Sequence, residues 1–141
     1  MKIVTGCADY VGPWVYKEIG KLWINNPSYG SALGWVNDTG DLVAGVTFTG
    51  FDGTTVWLDC AALPKVRWAD RRALWAVFSY AFEQLGCVRV SSLVPEDNEP
   101  ALKFNRIAGL KVEAVLKRAA PNGKDMLVHT MFAEDCRWIR R

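Results

Sequence analysis

The sequence predicts an α/β domain with a mixed central sheet and helices on both faces. Three observations carry this. First, Leu74, Val77, Phe78, Ala81, Phe82 and Leu85 recur at helical spacing within Ala69–Leu85, and Gly86 follows as a stop. Second, β-rich runs flank that helix, Thr55–Ala61 before it and Arg89–Val94 after it, so Thr55 to Leu93 forms a strand–helix–strand crossover with parallel strands. Third, two short turns, Asn37-Asp38-Thr39-Gly40 and Phe51-Asp52-Gly53-Thr54, join three strand-like runs into a meander.

The remaining elements follow in order. Ile3–Thr5 reads as a short strand. Asp9 is expected to cap a helix reaching about Asn25, with Trp14, Ile19, Leu22 and Trp23 as its apolar stripe. Gly12-Pro13 sits in its first turn, where proline is tolerated, and Asn26-Pro27 ends it. Ala32–Val36, Leu42–Phe48 and Thr55–Ala61 make the meander. In the last of these Val56, Leu58 and Cys60 share one face, while Trp57, Asp59 and Ala61 share the other. Both faces are largely apolar, as in a strand covered on each side, and Asp59 is the exception. After Arg89–Val94, Asp97 or Asn98 caps a helix over Glu99–Ala108 that stops at Gly109. Lys111–Lys117 and Met126–Phe132 then flank a Pro121-Asn122-Gly123-Lys124 turn. The order is β–α–β–β–β–α–β–α–β–β, read as one domain over residues 1–141.

Composition narrows the function classes. With 50% apolar and 23% charged residues in 141, the chain is an ordinary globular sequence. A net charge of +2 is too small to argue for a nucleic acid or an anionic membrane. No apolar run approaches the roughly 20 residues a membrane helix needs, and Met1–Thr5 leads into no signal-like stretch. Cys7, Cys60, Cys87 and Cys136 are widely spaced and read as reduced thiols of a cytoplasmic protein. With His129 as the sole histidine, no metal site is expected. Seven tryptophans are many for this length. Trp35, Trp57 and Trp138 are therefore expected to form a homodimer or partner surface.

Two stretches carry a family resemblance. Arg72–Trp75 through Tyr80–Val90 looks like the cofactor-binding helix, and the strand after it, of the GNAT acyl-CoA-dependent N-acyltransferases. Pro95–Ala114, with Asn98, Ala101 and the Gly109-Leu110 pair, looks like that superfamily's second block. Within it the chain is most similar to the branch that acetylates ribosomal-protein N-termini and to short GNAT-like proteins of tailed phages. The ending Met131–Trp138 resembles the phage group.

The resemblance implies a single GNAT-like domain that takes acetyl-CoA or another acyl-CoA. The cofactor's pantetheine arm would pair like an added strand with the opening between Thr55–Ala61 and Arg89–Val94. Its pyrophosphate would sit at the start of the helix that follows. The implied cofactor-binding residues are Cys60, Ala61, Leu63, Arg67, Ala69, Arg71, Arg72, Asn98 and Phe104. The implied general base is Asp59, since the family often places a carboxylate on this strand, and His129 is a candidate proton relay.

Two departures stand beside it. The phosphate loop, Arg/Gln-x-x-Gly-x-Gly/Ala in the family, here reads Val66-Arg67-Trp68-Ala69-Asp70-Arg71, without glycine. The position of the family's tyrosine acid holds Asn105. The expected activity is transfer of an acyl group to an amine of a protein or small molecule. The alternative is a phage protein on the same scaffold that docks on a host enzyme and modulates it. The basic tail Arg137-Trp138-Ile139-Arg140-Arg141 leaves modification of a nucleic-acid base as a third reading.

Overall fold

The computed structural model describes residues 1–139, so Arg140 and Arg141 of the basic tail lie outside the described residues. Its elements are β1 (Lys2–Val4), α1 (Ala8–Glu18), β2 (Gly30–Val36), β3 (Leu42–Thr49), β4 (Thr55–Ala62), α2 (Arg71–Ser79), β5 (Arg89–Pro95), α3 (Glu99–Ala108), β6 (Lys111–Leu116) and β7 (Met126–Phe132). The strands form one seven-stranded sheet in the order β1-β2-β3-β4-β5-β7-β6. Only β4 and β5 pair in parallel. The expected order of elements, the meander and the parallel crossover are all present.

Turn chemistry explains the meander. Asn37 Oδ1 accepts from the Thr39 and Asp41 N–H groups, and Asp52 Oδ1 from those of Thr54 and Thr55, so each side chain closes its own loop. The strands then alternate their faces. Leu33, Trp35, Val46, Phe48, Val56 and Leu58 face α2, contributing to the main core with Leu74, Val77 and Phe78. The opposite face of the same strands carries α1. There Gly34 and Gly45 pair across β2 and β3. A Cβ on Gly45 would lie 2.6 Å from Val15, and one on Gly34 2.9 Å from Val11, so these glycines let α1 lie directly on the sheet.

Three sequence expectations need correction here. Helix α1 ends at Glu18, well short of Asn25, and Cys7 rather than Asp9 occupies its N-cap position. The chain leaves α1 through a Schellman turn: Gly20 is left-handed at φ +74, and the Lys21 N–H reaches the Tyr16 carbonyl at 2.7 Å. The buried stripe is consequently Val11, Val15 and Tyr16, while Leu22 is 85% exposed. Trp23 folds back onto Gly12, where a Cβ would come within 2.3 Å of its ring.

The long second helix is also two pieces. It starts at Arg71 behind Asp70, whose Oδ1 accepts from Ala73 N–H at 2.9 Å, and its last turn, Tyr80–Gln84, is a π-turn. Finally, Trp35 is buried at 3% and forms no surface. Trp57 is exposed, and Trp138 donates to the Ala108 carbonyl at 2.7 Å.

Candidate functional site

The sheet opens at its one parallel junction. β4 and β5 pair only at Thr55↔Arg89, Val56↔Val90 and Trp57↔Ser91, yet β4 runs on to Ala62 and β5 to Pro95. Beyond Trp57 the strands diverge. The Leu63 N–H bonds to Val43 on the β3 side, so the two-residue period turns the C=O of Leu58 and the N–H and C=O groups of Cys60 and Ala62 into the gap. The Leu58 N–H is held by the Ser91 carbonyl in the last parallel pair. Just before β5 the Val88 carbonyl accepts from the Ala133 N–H on the β7 side, and continuing that register along β5 turns the N–H and C=O groups of Leu93 inward. A V-shaped slot thus presents unpaired backbone on both walls. At its neck lies a cavity of about 20 Å³ lined by Leu58, Cys60, Ser92, Phe104 and Asn105.

Asn105 is a site residue the sequence reading did not select. It is 4% exposed on α3, and its Nδ2 lacks a hydrogen-bond partner among the described residues while lining that cavity. A buried unpaired donor costs stability, so a donor retained at the neck of the slot suits an acceptor brought by a ligand.

Cys60 shares the cavity. Burial, reinforced by the charge of Asp59, pushes its thiol up to about 12. The thiol therefore stays protonated at neutral pH and is a poor nucleophile.

On the α1 face, two residues past the last parallel pair, stands Asp59. Its side chain is 13% exposed and pairs with Lys21 Nζ at 3.2 Å. Lys21 also lies 4.9 Å over the Tyr16 ring. Tyr16, Trp23 and Tyr29 form an edge-to-face cluster with centroids 4.9–6.4 Å apart. Burial and then the Asp59 charge raise the Tyr16 phenol far above its ordinary value, so it remains a neutral donor beside the carboxylate. Sequence reasoning missed Lys21 because the turn at Gly20 that aims it was read as helix. It missed Tyr16 because its neighbours Trp23, Tyr29 and Asp59 are brought to it only by the tertiary fold.

The segment expected to meet the phosphates follows β4. Leu63 is exposed, Lys65 adopts a left-handed φ of 66°, and Trp68 is buried. Trp68 stacks on Phe104 at 5.5 Å and tilts against Trp35 at 4.7 Å, pinning the segment to α3 and β2. Ala69 is half-buried beside it. Arg67, Arg71 and Arg72 are exposed at the start of α2 with no hydrogen bond or ion pair among the described residues. Asp70 is turned onto the helix backbone as its cap, which directs its charge at the Ala73 N–H. Asn98 likewise caps α3, accepting from Ala101 N–H at 3.3 Å. Ala61 lies on the α1 face of β4, packed against that helix's cluster.

The two candidate catalytic residues are not brought together. His129 sits on β7 opposite Ser92, on the α3 side of the sheet, whereas Asp59 faces α1. His129 is 4% exposed, and its Nδ1 has no partner among the described residues. Burial, partly offset by the Leu127 backbone, pushes its pKa down. The folded chain thus resists a proton that the unfolded chain binds below pH about 6.5, so stability falls as the pH drops through that range. Thermal melts between pH 7.5 and 5.0 should show this loss, and His129→Leu should flatten it. An unchanged pH slope in that variant would contradict the assignment.

A hollow of about 950 Å³ lies elsewhere; it runs along Gly30–Leu33 of β2, beyond the reach of β1, between Trp23 and Trp75, and contains neither Asp59 nor the slot. Among the described residues no cluster of metal-ligating side chains occurs, and no helix is long and apolar enough to cross a membrane.

This architecture has counterparts among solved structures. A spermidine N-acetyltransferase SpeG chimera from Vibrio cholerae superposes with a TM-score of 0.73, covering 99% of this chain and 98% of that one at 10% identity. The fold is that of the GNAT acetyltransferases. A ribosomal-protein-S5-alanine acetyltransferase from Vibrio fischeri gives 0.66 at 15% identity, over 77% of this chain and 64% of that enzyme, so here the chain spans less than two thirds of its counterpart. The N-acetyltransferase PseH of Campylobacter jejuni gives 0.59 at 15% identity, over 77% and 70%. No family model and no curated sequence matches the chain. At these identities the likeness is one of GNAT fold, and the chemistry must be argued from the site.

Proposed function

We propose that the protein is an acyl-CoA-dependent N-acyltransferase that moves an acetyl group directly from acetyl-CoA to a primary amine. The carrying observation is the slot where β4 and β5 part after Trp57↔Ser91, with backbone donors and acceptors facing inward. An amide-bearing pantetheine arm matches such walls as an added strand does. Its phosphates would meet the start of α2, where Arg67, Arg71 and Arg72 carry unpaired charge and the helix dipole favours anions.

Each step then has a residue. The backbone N–H of Cys60 polarises the thioester carbonyl. Asp59 takes a proton from the incoming amine, which attacks the carbonyl carbon. The sulfur leaves beside Asn105, whose Nδ2–H stabilises it by a hydrogen bond while the proton comes from the amine or from water. Acetyl-CoA supplies the activated carbonyl, and the chain orients it. The acceptor approaches from the α1 face, where Asp59, Tyr16 and Tyr29 stand.

Release of free CoA thiol from acetyl-CoA, followed against a panel of amines and N-terminal peptides, tests the activity. Thiol release above the no-acceptor rate with at least one amine is the expected result. Silence across the panel while acetyl-CoA still binds would leave the docking protein as the reading. Arg71→Glu/Arg72→Glu should weaken CoA binding at least about tenfold by calorimetry, because two favourable contacts become repulsive. Unchanged affinity would refute this placement of the phosphates.

A further inference from the structure

Resting on the transferase reading, the geometry points to Lys21 as a self-acylation site: the protein's own primary amine occupies the acceptor position and is acetylated in cis from bound acetyl-CoA. Three observations converge. Lys21 Nζ lies 3.2 Å from Asp59 Oδ2, the contact an acceptor amine must make with its base. Its backbone is fixed by the turn at Gly20 through the 2.7 Å bond to Tyr16, so the side chain is delivered across the Tyr16 ring to Asp59 on β4. Yet the side chain is 51% exposed, leaving its ammonium reachable and not locked in the core. Lys17 sits one helical turn earlier, exposed and without a carboxylate partner among the described residues, and supplies an internal comparison.

The chemistry balances without a further reactant. The Lys21 ammonium gives one proton to Asp59, which passes it to solvent, and the freed lone pair attacks the acetyl carbonyl carbon. A C–N bond forms as the C–S bond breaks. The sulfur leaves with its electron pair and takes the second ammonium proton, giving an ε-N-acetyl lysine and free CoA thiol. Because the amide is neutral, the modified side chain no longer pairs with Asp59. Self-acylation therefore uncovers the carboxylate for an external amine, and thiol release should show a first turnover distinct from later ones.

The intact purified protein is incubated with acetyl-CoA near neutral pH, and lysine occupancy is read by peptide mass spectrometry. A parallel calorimetric titration of the same sample reports acetyl-CoA binding. Acetylation of Lys21 at least tenfold faster than of Lys17, abolished when the chain is unfolded in urea first, is the expected result. In Asp59→Asn the same selectivity should collapse while acetyl-CoA still binds. Lys21 labelling no faster than Lys17, or as fast in the unfolded chain, overturns the inference. If acetyl-CoA binds and Lys21 stays unmodified, self-acylation fails and the transferase reading survives. If acetyl-CoA does not bind, both fall.

Discussion

Asp59→Asn should lower kcat for amine acetylation by about 10²- to 10⁴-fold, the range a positioned general base contributes. The substitution keeps the shape of the side chain and removes the proton acceptor. Three features single out this carboxylate. It is the polar interruption on the inner part of β4, it lies two residues past the last β4–β5 pair, and it faces the helix that carries Tyr16. Affinity for CoA should change little, because the slot walls are backbone and the proposed phosphate contacts lie at the start of α2. A variant that turns over at the parental rate removes Asp59 as the base and shifts that role to a water chain.

Trp68→Ala should be the most damaging change to the fold itself. Its ring fills the space between Trp35 and Phe104, and removing a buried indole costs about 3–5 kcal/mol. For a domain of this size that corresponds to a fall in Tm of roughly 10 °C or more. Because the same ring anchors the segment between β4 and α2, CoA affinity should drop even below the melting range. Trp68→Phe keeps an aromatic in the stack and should restore most of both. A Trp68→Ala protein with parental Tm and CoA affinity would show that the segment is held by its backbone alone.

The missing glycines of the phosphate segment take on a different meaning here. Where close backbone approach would need glycine, this chain instead buries Trp68 beneath the segment and turns Asp70 into the helix cap, leaving Arg67, Arg71 and Arg72 outward. A loop without glycine is then held open by packing and charged at its rim.

The parts legible in the sequence were those written in local chemistry. The turns at Asn37–Gly40 and Asp52–Gly53 carry their own hydrogen-bond acceptors, and the spacing of Leu74, Val77 and Phe78 marks the face of α2. Strand alternation isolated Asp59 as the exception on β4 before any neighbour was known. What stayed hidden was set at long range. Lys21 and Asp59 are 38 positions apart, and nothing in the spacing pairs them. The end of α1 depended on Gly20 and on Trp23 packing back over Gly12, a tertiary contact that a helical pattern through Trp23 conceals. The same limit misplaced Trp35, whose partner Trp68 lies in a segment without periodicity.

The central claim is that the slot between β4 and β5 receives acyl-CoA, and a ¹⁵N-resolved NMR titration with CoA tests it most directly. Saturable shifts concentrated at the amides of Leu58, Cys60 and Leu93, and at Arg71 to Ala73, are the expected result. Absence of saturable shifts at millimolar CoA, or shifts clustered along Gly30–Leu33 of β2 between Trp23 and Trp75, would contradict it.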